Sequence, residues 1–144
     1  KRMTEIKKIH TPEQFEILRE EFLTHEARIL DWKRGEYSPD EDRLLNFRQV
    51  AEFEGRTPAE VALTWLLKHI QSITLAVRSA DYAWAWETEG GEGLKQRIAD
   101  ARNYLLLLAA CLEEEHQAKE RVRFDRAFET YYETQGLPAE EEVE

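Results

Sequence analysis

Apolar residues return along this chain at intervals of three and four over four stretches, the period of helices that bury one face. The first stretch carries Phe15, Leu18, Phe22 and Ile29; the second carries Leu44, Phe47 and Ala51. The third repeats Val61, Trp65, Leu66, His69, Ile70 and Ile73 on one broad face. In the fourth, Leu105-Leu106-Leu107-Leu108-Ala109-Ala110-Cys111-Leu112 is apolar nearly all round, which predicts a helix buried centrally or across a dimer. No alternating pattern marks a strand and no segment repeats. The pattern predicts an all-α fold, a compact helical bundle of about four to five helices.

Punctuation dates the helix starts. Thr11-Pro12-Glu13-Gln14, Ser38-Pro39-Asp40-Glu41 and Thr57-Pro58-Ala59-Glu60 each combine a hydroxyl N-cap, a proline at the first helical position and an acid or amide that reaches back to the cap. The first helix is predicted from Pro12 towards Lys33 with a stop at Gly35, and the second from Pro39 to about Glu54 with a stop at Gly55. The third is predicted from Pro58 to about Arg78. The fourth begins near Gly93 and runs past Leu112, continuing or breaking once into residues 113–134. Between the third and fourth, Tyr82, Trp84, Trp86, Gly90, Gly91 and Gly93 break the period and predict a loop or hairpin-like excursion that could act as a lid. Residues 1–134 read as one domain. Residues 135–144, with Gly136, Pro138 and Glu140-Glu141-Glu142, read as an acidic, disordered tail.

Charge narrows the functions. A net charge of -10 on 144 residues argues against a surface that condenses on nucleic acid, while a local basic pocket for a free nucleotide remains compatible with it. The lone Cys111 lies in an apolar run and fits a reducing compartment. No signal peptide is visible, and the apolar run at 104–112 is too short to span a bilayer. The expectation is a soluble, cytoplasmic protein without membrane attachment.

Candidate chemistry sits in two polar clusters and one dipeptide. Asp42 and Asn46 share a side if both are helical, and Glu36 precedes them; together they offer oxygen ligands to a hard cation. The plainer alternative is that Asp40, Glu41 and Asp42 complement a helix dipole and complete a cap. Asp100 and Asn103 stand three apart where the fourth helix enters its apolar run, so the carboxylate needs a metal or a cation such as Arg97, Arg102 or Lys68. Lys68 and His69 ride at the edge of the third helix, as ligand contacts or as a snorkelling lysine and a core-rim histidine. Lys33 could face phosphate or serve the C-terminal dipole of its helix. Trp84 and Trp86 could stack on a base or anchor their loop.

The string Lys33-x-x-Glu36-Tyr37-Ser38-x-Asp40-x-Asp42-Arg43-Leu44-x-Asn46-Phe47, then Thr57-Pro58 with Lys68-His69-Ile70-x-Ser72-Ile73, then Ile98-x-Asp100-x-x-Asn103-Tyr104-Leu105, resembles a phage-type small domain. That domain belongs with the MazG-like all-α nucleoside triphosphate pyrophosphatases and nucleotide-modification neighbourhoods. The resemblance covers about 33–112. It implies a helical bundle, often dimeric or tetrameric, in which Mg²⁺ held by acids of facing helices bridges to a nucleotide. Glu36, Asp42 and Asp100 would be the catalytic and metal-binding acids. Lys33, Lys68 and Arg43 would face phosphates, and Asn46, His69 and Asn103 would line the substrate. Typical members carry Glu-x-x-Glu and Glu-x-x-Asp pairs; Asp100 would close the second, and Arg97 stands where its Glu would be. Three functions follow as expectations: a Mg²⁺-dependent nucleoside triphosphate pyrophosphohydrolase, a catalytically degenerate nucleotide binder or sensor, or an acidic phage-type interaction protein.

Overall fold

The computed structural model describes residues 10–37 and 42–136, and the side chains of all of these but 34–37. Four helices account for about four-fifths of the described residues: α1 (Pro12–Tyr37), α2 (Leu45–Glu54), α3 (Pro58–Ser79) and α4 (Leu94–Gln135). A short antiparallel hairpin, β1 (Glu87–Thr88) and β2 (Gly91–Glu92), lies between α3 and α4 and pairs Glu87 with Glu92 and Thr88 with Gly91. The all-α bundle is therefore as the pattern predicts, with the hairpin-like excursion in the expected place.

Two caps form as the sequence dictates. Thr11 N–H donates to Gln14 Oε1 at 2.8 Å and Gln14 N–H donates to Thr11 Oγ1 at 3.2 Å. Thr57 and Glu60 make the same reciprocal pair at 2.8 and 3.2 Å. Gly55, in the left-handed conformation at φ 65°, ends α2. Gly35 does not end α1, which runs on to Tyr37; a glycine inside a helix costs only about 1 kcal/mol and stops it only when the chain turns left-handed there.

The start of α2 differs from the sequence reading. The Ser38-Pro39-Asp40-Glu41 cap lies outside the described residues, and Asp42, Arg43 and Leu44 form a turn ahead of a helix that begins at Leu45. Asp42 is therefore no member of the first helical turn. Its carboxylate accepts from the Leu44 N–H at 3.0 Å, and its carbonyl accepts from Leu45 N–H at 3.4 Å. An aspartate holds the turn that leads into α2.

The core lies where α2, α3 and α4 meet: Leu44, Phe47, Ala51, Ala59, Val61, Ala62 and Cys111 are buried together. Alanines at the contact let the helices approach closely, while Phe47 fills the space between them. α1 is tied to α4 through Glu26, which meets Asn103 and Arg102, while buried Phe22 of α1 packs on the Trp86 ring. Burial pushes the Cys111 thiol above its ordinary pKa. The leucine run of α4 is only partly covered: Leu107 and Leu108 pack on the core, while Leu105, Leu106 and Leu112 stay about half exposed. No described helix is long and apolar enough to cross a membrane.

Candidate functional site

Lys33, Asn46, Lys68, His69, Asp100 and Asn103 line a single cavity of about 550 Å³, together with Arg43. Each helix supplies part of it. α1 brings Ile29, Leu30 and Lys33, α2 and its preceding turn bring Arg43, Asn46, Phe47 and Val50, and α3 brings Trp65, Lys68 and His69. α4 brings Asp100, Asn103, Tyr104 and Leu107. Seven residues singled out by sequence thus converge from four elements.

One wall is aromatic. Phe47 and Trp65 meet with ring centroids 5.1 Å apart, Tyr104 stands edge-on to both, and His69 lies over Tyr104 at 4.8 Å. The other walls are charged or amide-bearing. Asp100, only 2% exposed, accepts from Lys33 Nζ at 3.1 Å and from Gln96 Nε2 at 3.4 Å. That lysine neutralises a carboxylate which, unpaired, would be too costly to bury. Arg43 and Lys68 are exposed at the cavity, and Arg43 also reaches Asp31 at 3.2 Å. Burial pushes the His69 imidazole below the ordinary histidine range; Lys33 acts in the same direction, and Asp100 and Glu92 oppose it.

Not every predicted residue arrives. Asp42 lines a different groove, with Leu44, Leu106, Ala110 and Glu114. Its carboxylate is ion-paired with Arg48, whose guanidinium holds it below the usual carboxylate range with help from the Leu44 N–H. The side-by-side placement of Asp42 and Asn46 required both to be helical, and only Asn46 is. The side chain of Glu36 lies outside the described residues. Arg97, on the first turns of α4, is half-buried and does not line the cavity.

These placements decide how well Mg²⁺ fits. Among the described residues no three His, Cys, Asp or Glu side chains come together to hold a metal ion. Asp100 faces a lysine and Asp42 an arginine, and the two line different cavities, so they do not share one metal site; an Mg²⁺ ion at Asp100 would have to take its other ligands from water and substrate phosphates.

Other contacts hold the elements around the cavity together. Asn103 Nδ2 donates to the Glu26 carbonyl at 3.1 Å, and buried Glu26 is ion-paired with Arg102, tying α4 to α1. Trp86 stacks on His25 with centroids 3.7 Å apart, and its indole N–H donates to Glu21 at 2.8 Å. Lys95 donates to the same Glu21 at 2.7 Å and lies over the Trp84 ring. Trp86 therefore anchors the hairpin to α1, and neither tryptophan lines the cavity. Sequence reasoning placed Phe47, Trp65 and Tyr104 only as core or motif residues. It missed the Glu26 tie entirely, because residues 76 or more apart carry no spacing signal.

Comparison with protein-family models, with curated proteins and with solved structures finds no match to this chain.

Proposed function

We propose that this chain is a nucleotide-binding protein, with the cavity between the four helices as its site. The observation that carries the reading is the pairing of an aromatic wall with exposed cations. Phe47, Trp65 and Tyr104 offer flat apolar surface to a base, while Lys68, and Arg43 alongside its contact to Asp31, offer positive charge to phosphate in a chain of net charge -10; Lys33 is spent on Asp100. Asn46 and Asn103 add amide groups of the kind that orient a polar ring edge. A cavity of about 550 Å³ lies within the range that small ligands and cofactors occupy.

Binding is favoured over Mg²⁺-dependent pyrophosphate release because the cavity's one described carboxylate, Asp100, is already neutralised by Lys33. No catalytic step is assigned. Calorimetry with nucleoside mono-, di- and triphosphates, with and without Mg²⁺, tests the reading. Lys68→Ala and Arg43→Ala should each weaken nucleotide binding about tenfold while leaving the fold unchanged, the loss expected for one charged contact to phosphate. Absence of binding across the panel, or affinity unchanged in both variants, would overturn it. A parallel assay of pyrophosphate release reads the hydrolytic alternative directly.

A further inference from the structure

We infer that the cavity selects nucleoside monophosphates over di- and triphosphates, and that the buried Lys33–Asp100 pair sets this limit by withholding a third cation; this rests on the nucleotide reading above. The two ion pairs at the cavity differ in how readily they give way. Asp100 is 2% exposed, and its Oδ1 accepts from both Lys33 Nζ at 3.1 Å and Gln96 Nε2 at 3.4 Å. A phosphate that drew Lys33 away would leave a buried carboxylate held by one amide, and an uncompensated buried charge costs more than the new contact returns. Lys33 therefore stays with Asp100. Arg43 pairs with Asp31 at the surface, where the aspartate side chain is 70% exposed and water competes for the contact. Lys68 is exposed and makes no ion pair among the described residues.

Charge balance then limits the number of phosphates. A phosphomonoester carries about -2 near neutral pH, which Arg43 and Lys68 together neutralise. Each further phosphate adds negative charge that no described cation at the cavity is free to meet, in a chain whose net charge is already -10. The segment that follows Lys33 in the chain does not make up the difference, since residues 34–41 carry Arg34 against Glu36, Asp40 and Glu41. Nor does Mg²⁺. It would enter beside Lys33, Arg43 and Lys68, with Asp100 already neutralised and no described cluster of ligating side chains to hold it. The wall of Phe47, Trp65 and Tyr104 meets the base of every nucleotide alike, so discrimination by phosphate number falls to the cations.

Calorimetry of the full chain with the 5′-mono-, di- and triphosphates of adenosine and of cytidine, with and without Mg²⁺, tests this. Each monophosphate should bind about tenfold tighter than the triphosphate of the same nucleoside in both conditions, with the diphosphate between them. Asp100→Asn should free Lys33 and raise triphosphate affinity about tenfold while changing monophosphate affinity little, so that the preference disappears. A merely structural role for Asp100 would lower both affinities together. Triphosphate binding as tight as monophosphate in the parent chain, with or without Mg²⁺, overturns the selection and leaves the nucleotide reading standing. No binding by either series removes both. A ratio unchanged in Asp100→Asn overturns the part given to Lys33. Should that variant lose its helical circular dichroism, Asn46→Lys decides, because it adds a cation at the cavity without touching Asp100. Triphosphate affinity raised about tenfold in Asn46→Lys supports the limit set by cation number, and an unchanged ratio rejects it.

Discussion

His69 sits between a lysine, an aspartate and a tyrosine ring, each held by a different constraint. Its imidazole is half-buried against Tyr104, and burial favours the neutral form. With the folded pKa below the ordinary value of about 6.5, the unfolded chain takes up the proton first on acidification. The histidine's contribution to stability is therefore complete above about pH 6.5 and is lost as pH falls towards the folded pKa. Urea midpoints measured between about pH 7 and 5 should decline, and His69→Phe should flatten that decline. A slope identical in the variant would show that another group carries it. Lys33 matters in a different way: it neutralises the nearly inaccessible Asp100, so its replacement disturbs the fold as well as any ligand. Lys68 and Arg43 are the cleaner probes of binding for that reason.

Among the elements, the junction of hairpin and α4 is the tightest joint. Gly93 N–H donates to the Trp86 carbonyl at 2.9 Å, Leu94 N–H to that of Ala83 at 2.9 Å and Lys95 N–H to that of Ala85 at 3.2 Å. The donors that a helix start leaves without intrahelical partners are thus satisfied by the preceding loop. A Cβ on Gly93 would overlap the Ala85 carbonyl, so the close approach admits only glycine. Gly93→Ala should cost about 2 kcal/mol in denaturant unfolding, as overpacking against backbone does. A variant as stable as the parent would mean that the loop can move away from α4 without loss. The clasp of Trp86 on His25 and Glu21 argues against that freedom.

At the scale of the molecule, α4 is the organising rod. Its 42 residues span about 63 Å, nearly twice the 22-residue α3. The part up to Cys111 enters the core, and Glu114 adds an ion pair to Arg48 at 2.6 Å. From His116 to Tyr131 every residue is exposed, and the ring contacts of Phe124, Phe128 and Tyr132 stay within the helix itself. A helix with no tertiary partner opens readily, whereas one embedded in a core opens only with the whole domain. Amides from about residue 118 onward should exchange at least about a hundredfold faster than those at 99–111. Uniform protection along α4 would show that the arm is covered in solution.

Local rules were enough for the existence of the helices and for some of their ends, though not for the end of α1 or the start of α2: the three-and-four period of apolar residues, the caps at Thr11 and Thr57, and the left-handed glycine at 55 depend only on neighbours in the chain. The same locality made Lys33, Asn46, Lys68, His69, Asp100 and Asn103 stand out, since polar groups at helical spacing beside apolar ones are visible in sequence. Their partners were not visible. Whether Asp100 meets a metal or a lysine depends on a contact between residues 67 apart, and Asp42 turned to Arg48 because α2 starts at Leu45. Likewise, which apolar residues of α3 are covered depends on where the other helices lie, and the core takes Ala59, Val61, Ala62, Leu66 and Ala76. Periodicity names a face without naming what lies against it, and only the packing of distant segments decides which charges neutralise each other and which apolar surface is left open.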